Sequence, residues 1–136
     1  LGRKTERAQG VAVATVLVAD DDPDVRDVVV FKLEQSGHDV LVAEDGGAAL
    51  DLARRACPDL AVLDVMMPRM TGLDVCRELR ADPATSGMPI ILLTARAQEG
   101  DIETGFAWGV DDYLTKPFSP RELDSRVRAV LARSAR

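Results

Sequence analysis

Five short β-like runs, each followed by a stretch long enough for a helix, constrain this chain more than any other feature of it. They are Thr15–Ala19, Asp39–Ala43, Leu60–Leu63, Ile90–Leu93 and Asp112–Thr115. Ile90–Leu93 is apolar throughout, which reads as a strand buried on both faces. The segments between and after these runs predict helices over Pro23–Ser36, Gly47–Ala56, Leu73–Arg80, Glu99–Trp108 and Pro120–Ala132. Pro23 falls early in the first helix, where a missing N–H costs nothing, and Gly37 stands at its stop. Pro58 closes the second.

Such alternation gives an α/β fold with a parallel sheet covered by helices on both faces. Right-handed crossovers leave few arrangements. The flavodoxin-like (βα)5 order 2-1-3-4-5 is the expected one. With 136 residues, 46% of them hydrophobic, the chain suffices for one domain with its own core. Residues 1–13 read as a flexible tail or tag remnant, and residues 14–136 as the folded domain. The first residue is leucine, which suggests a fragment or a processed chain. The net charge of −6 argues against direct nucleic-acid binding. No apolar run approaches the roughly 18 residues of a membrane span, and no secretory signal is visible, so a cytoplasmic location is expected. Cys57 and Cys76 have neither metal-ligand nor redox spacing and read as small reduced side chains.

In a sheet of this kind ligands collect beyond the carboxyl ends of the strands. The unusual residues lie there. Strand one runs into Asp20, Asp21 and Asp22, strand three into Asp64, strand four into Thr94 and strand five into Lys116. Strands one and three are neighbours, so their acids converge. Carboxylates a few ångströms apart repel; either one takes up a proton or a hard cation neutralises them. A site with few carboxylates and open water positions suits Mg²⁺, and a lone lysine opposite suits an anionic ligand, most simply a phosphoryl group. A hydroxyl at Thr94 could bond one of its oxygens. There is no G-x-x-x-x-G-K-[ST] cradle, so the phosphoryl group must arrive on another molecule. His38, in the turn before strand two, reads as a solvated turn residue.

The runs VLVADDDPDVR, LAVLDVMMPRMTGLDVCREL, PIILLTARA and DDYLTKPFSPREL resemble the receiver domains of two-component response regulators, in particular the OmpR/PhoB-like receivers. The resemblance covers about residues 14–134. It implies that Asp64 is the phosphoacceptor, fed by a histidine kinase or a phosphotransfer protein. It implies that Mg²⁺ is bound directly by Asp21, by Asp64 and by the backbone carbonyl of Met66, with Asp20 holding a water on the ion. Lys116 becomes the phosphate-pairing lysine, Thr94 the hydroxyl that moves toward the phosphoryl group, and Tyr113 the aromatic switch. Lys116–Pro117 resembles the family's cis peptide bond. The implied output surface is helix four, strand five and helix five, facing an output domain or effector protein, or a second copy in a homodimer.

Each of these residues has an ordinary reading as well. Asp22 before Pro23 is better placed as a helix N-cap than as a metal ligand. Asp59, Asp74 and Asp82 read as turn or solvated helix residues, and at least one of Met66 and Met67 as loop packing. Ile102, Phe106 and Val110 share one face of helix four, and Trp108 falls away from it. Trp108 is therefore either an interface anchor or a ring lying flat over the helix end. The resemblance implies basic residues along helix four, usual in close relatives, that pair with acids on a second receiver. Here residues 98–110 have none, although Asp112, Glu122 and Arg126 are present for such pairing. A phosphohydrolase of the haloacid dehalogenase type also uses an Asp nucleophile and Mg²⁺, but it needs a second acid two residues on, where this chain has Met66.

Overall fold

Parallel pairing organises the molecule around one sheet of five strands. The computed structural model describes residues 5–6, 12–95 and 109–134. Along the chain these form β1 (Thr5–Glu6), β2 (Ala12–Val13), β3 (Thr15–Ala19), α1 (Pro23–Gln35), β4 (Asp39–Ala43), α2 (Gly46–Ala56) and β5 (Leu60–Asp64). There follow α3 (Gly72–Ala81), β6 (Ile90–Ala95), β7 (Asp112–Lys116) and α4 (Pro120–Ser134). Counting only the strands of the main sheet, the order is the expected 2-1-3-4-5. β1 and β2 pair antiparallel with each other, within the stretch read from sequence as a tail. The helix expected over Glu99–Trp108 lies outside the described residues.

Strand alternation sorts the core into two halves. Leu17, Ala19, Ala61, Leu63, Ile90 and Leu92 point to one side, against Ala49, Leu50 and Ala53 of α2 and Val75, Cys76 and Leu79 of α3. Val16, Val18, Leu60, Val62, Ile91, Leu93 and Leu114 point to the other, against Val29 and Leu33 of α1 and Leu123, Val127 and Val130 of α4. β3 and β5 are thus dry on both faces. Each fully buried Leu or Val among them contributes about 1.5–3 kcal/mol relative to exposure.

Local chemistry sets the helix ends. Asp22 caps α1, accepting from the backbone N–H groups of Asp24 at 2.9 Å and Val25 at 3.4 Å, with Pro23 opening the helix. At the other end Gly37 takes φ 94°, its N–H donates to the Glu34 carbonyl, and the His38 N–H donates to Leu33. This is the Schellman closure, which needs a left-handed residue and here has glycine. Thr71 and Asp74 form a reciprocal capping box on α3. Asp82 accepts the Ala84 N–H at 3.0 Å, a turn bond as read, whereas Asp59 accepts the Thr15 N–H, 44 residues away, at 2.9 Å and ties the entrance of β5 to that of β3.

The sequence reading of His38 is corrected. It is 7% exposed, and its Nδ1 accepts the Ala14 N–H at 3.2 Å. The Asp39 N–H bonds the Ala14 carbonyl, which draws the turn beneath the chain entering β3 and covers the ring. Several strand ends also move. β5, β6 and β7 run on through Asp64, Ala95 and Lys116, because polar side chains do not interrupt a backbone ladder.

Candidate functional site

The carboxyl ends of β3, β5, β6 and β7 place side chains from distant parts of the sequence around one pocket. In register, Asp64 pairs with Leu93 of β6, and Thr94 with Thr115 and Ala95 with Lys116 of β7. Asp20 follows β3, its N–H still reaching the Ala43 carbonyl at 3.4 Å. Lys116 Nζ lies 3.0 Å from Asp20 Oδ2 and 3.2 Å from Asp64 Oδ1, bridging the two acids. Asp20 is 0% exposed, Asp64 is buried, and Asp21 stands exposed at the rim. Asp20, Asp21 and Asp64 each bring a carboxylate oxygen within 4.8 Å of the others.

The electrostatics follow from that crowding. Burial first, and then the charge of Asp20, push the Asp64 carboxyl up from 3.8 to about 7, although Lys116 pulls the other way. Burial works against the Lys116 ammonium, yet its bond to Asp20 and the fields of Asp64 and Asp20 outweigh this and raise its pKa. A single lysine does not neutralise the group. The all-oxygen donor set and this deficit of positive charge fit a hard divalent cation.

The other expected residues are placed as follows. Thr94 is on the neighbouring strand, 1% exposed, and its Oγ1 donates to the Ala95 carbonyl at 3.3 Å. Tyr113 is half-buried against the α2/α3 half of the core. Met67 belongs to that core, whereas the Met66 side chain is 57% exposed. Asp112 and Glu122 do not stand free: Arg126 Nη1 lies 2.9 and 3.1 Å from the Asp112 carboxylate oxygens, and Nη2 is 3.8 Å from Glu122. Trp108 lies outside the described residues. The Lys116–Pro117 bond is cis.

Two features escaped the sequence reading. Gly46 and Gly72 sit where a Cβ would collide with backbone, 2.0 Å from the Met70 carbonyl oxygen and 2.4 Å from that of Asp64. Arg26 lies over the β3 terminus and donates to the Asp20 carbonyl at 2.9 Å. Its position one turn beyond Asp22 was the available signal.

The response regulator receiver domain family matches residues 16–128 of this chain. The chain belongs to the response regulator receiver family. Receiver domains are phosphoacceptor modules of two-component phosphorelays rather than turnover enzymes. The alkaline phosphatase synthesis transcriptional regulatory protein PhoP of Bacillus subtilis is 47% identical over 119 residues, covering 88% of this chain and 49% of the relative. The DNA-binding response regulator MtrA of Mycolicibacterium smegmatis is 48% identical over 119 residues, covering 88% and 51%. The receiver thus spans about half the length of these curated relatives. Among solved structures, a response regulator from Chloroflexus aurantiacus superposes with a TM-score of 0.83 at 37% identity, covering 88% of this chain and 98% of that one. A Francisella response regulator receiver domain gives 0.81 at 40% identity, covering 89% and 98%. No helix among the described residues is long and apolar enough to cross a membrane.

Proposed function

We propose that Asp64 accepts a phosphoryl group from the phosphohistidine of a histidine kinase or phosphotransfer protein, with Mg²⁺ as cofactor. The observation that carries this reading is the bridge from Lys116 to Asp20 and Asp64 beside the clustered acids. Asp20, Asp21, Asp64 and the backbone carbonyl of Met66 are the groups that would hold the ion. When bound, Mg²⁺ offsets the negative charge of the carboxylates and of the incoming phosphoryl oxygens. An Asp64 carboxylate oxygen attacks phosphorus, and the P–N bond to the donor imidazole breaks with its electron pair left on nitrogen. Lys116 pairs with the phosphoryl oxygens. Thr94 moves its hydroxyl from the Ala95 carbonyl toward them, and Tyr113 turns inward behind it, biasing a two-state equilibrium.

The signal leaves through residues 98–110, β7 and α4, to an output domain or effector protein. The relatives support an output domain elsewhere in the full protein, since they are about twice as long and are named as transcriptional regulators. A homodimer through this surface has less to work with. Residues 98–110 carry no basic side chain, and Arg126 is taken by Asp112 of its own chain.

Incubation with a small phosphodonor and MgCl₂ will add a single phosphoryl group, read by intact mass. Asp64→Asn or omission of the divalent ion will abolish it. Turnover of the donor without a stable adduct would favour a phosphohydrolase instead. The adduct will also be long-lived. The residues two beyond Asp64 and Thr94 are Met66 and Arg96, and neither suits the orientation of an attacking water. Met66→Asn will therefore speed phosphate release severalfold, and an unchanged release rate would refute this explanation of the lifetime.

A further inference from the structure

Arg26 is a cation placed beside a group of acids, yet the bond it makes there is to a backbone carbonyl. Its side chain is 15% exposed, and its Nη1 donates to the Asp20 carbonyl at 2.9 Å. Nη2 lies 4.0 Å from Glu44, which is 82% exposed, a contact that contributes little. The Asp20 carbonyl is the anchor. Past Ala19 the chain leaves the β3 ladder, and residues 20–22 must turn from strand into helix. Asp20 is held there from three directions. Its Oδ1 accepts the Asp22 N–H at 3.0 Å, its Oδ2 accepts from Lys116, and its carbonyl accepts from Arg26. Asp21 lies between these fixed points and is exposed at the rim.

We propose that Arg26 is a positioning residue for the cation site: by holding the Asp20 carbonyl it fixes the β3–α1 turn so that Asp20 and Asp21 present their carboxylates together. The inference rests on the reading of the pocket as a divalent-cation site. Two effects of opposite sign meet at Arg26. A positive charge near a cation site weakens cation binding through Coulomb repulsion. A group that holds a metal ligand in place strengthens binding, typically 10- to 100-fold. Because the guanidinium bonds main chain, it leaves the Asp21 carboxylate uncommitted, and the second effect prevails. The planar guanidinium reaches the carbonyl with a fixed geometry that an ammonium does not reproduce.

Titration calorimetry with MgCl₂ alone on the unphosphorylated protein separates the two effects. Arg26→Met is expected to weaken Mg²⁺ binding by about tenfold despite removing a positive charge. Arg26→Lys, which keeps the charge and loses the guanidinium, will fall between wild type and Arg26→Met. The Asp22 amide, whose acceptor is Asp20 Oδ1, will exchange with solvent faster in both variants. If Arg26 acts only through its charge, Arg26→Lys will match wild type and Arg26→Met will bind Mg²⁺ more tightly, and either result overturns the proposal. Should Arg26→Met not fold, the comparison of Arg26→Lys with wild type decides alone. A wild type that takes up no Mg²⁺ would overturn the cation site and this role together. A wild type that binds while both variants equal it would overturn only the role of Arg26.

Discussion

Asparagine in place of Asp64 will stabilise the cation-free protein at pH 8 by on the order of 2–4 kcal/mol and leave it nearly unchanged near pH 4. Burial and the neighbouring Asp20 raise the folded-state carboxyl from 3.8 to about 7. Between those values the folded protein holds a proton that the unfolded chain has released. The Asp64 contribution to stability is therefore fully present below about pH 4 and is lost as pH climbs through about 7, where the buried charge is forced on the fold. Asparagine never takes that charge. The substitution removes one of the two acids that Lys116 bridges, but Asp20 at 3.0 Å keeps the ammonium paired. Urea unfolding in EDTA at the two pH values measures the difference. Equal effects at both, or a loss of stability at pH 8, would contradict the assignment. Adding Mg²⁺ at pH 8 will stabilise wild type and do much less for the variant, which lacks one of the proposed ligands.

Gly72→Ala will cost about 3 kcal/mol, lowering the Tm by roughly 10 °C, and will slow phosphorylation of whatever remains folded. The Gly72 N–H donates to the Val65 carbonyl at 2.9 Å, closing the loop between β5 and α3. A Cβ there would lie 2.4 Å from the Asp64 carbonyl oxygen, 3.0 Å from the Asp64 carbonyl carbon and 3.2 Å from the Val65 Cα. All three are main chain, so no side chain can swing aside, and the strain falls on Asp64, the proposed phosphoacceptor. Gly87→Ala is the matched control: an added Cβ there meets nothing within 4 Å. Its Tm should stay within a degree or two or rise slightly, since alanine restricts the unfolded chain. Equal thermal midpoints for the two variants would refute the argument from close approach.

The strands and the acid-lysine pocket were legible in the sequence because both are written locally. A buried strand is a short aliphatic run, and a polar residue at its end stands out against it. Asp64 after LAVL and Lys116 after DYLT are visible without coordinates, and the four family-like runs tied them together. What stayed hidden depends on partners far apart in the chain. His38 looked solvated because nothing near it in sequence covers it; Ala14, 24 residues away, supplies its bond. Nothing in the sequence around Gly72 marks the Asp64 carbonyl that lies beneath it. Arg26 drew no reading from sequence, since its acceptor is a backbone oxygen that no side-chain pattern records. Asp112 and Arg126 were read as groups awaiting a partner, and the fold pairs them with each other.

The two-sided core has a mechanical consequence. Sliding β3 or β5 by one residue would exchange the Val16, Val18 and Val62 set with the Leu17, Ala19 and Leu63 set, turning every side chain toward the wrong layer of helices. The central strands therefore behave as a stiff chassis with no low-energy way to creep. Added charge at the tip of β5 cannot be relieved by moving the strand that carries it. On the proposed reading, the displacement that a phosphoryl group causes would fall on the loop between β5 and α3 at the same rim rather than on the strands.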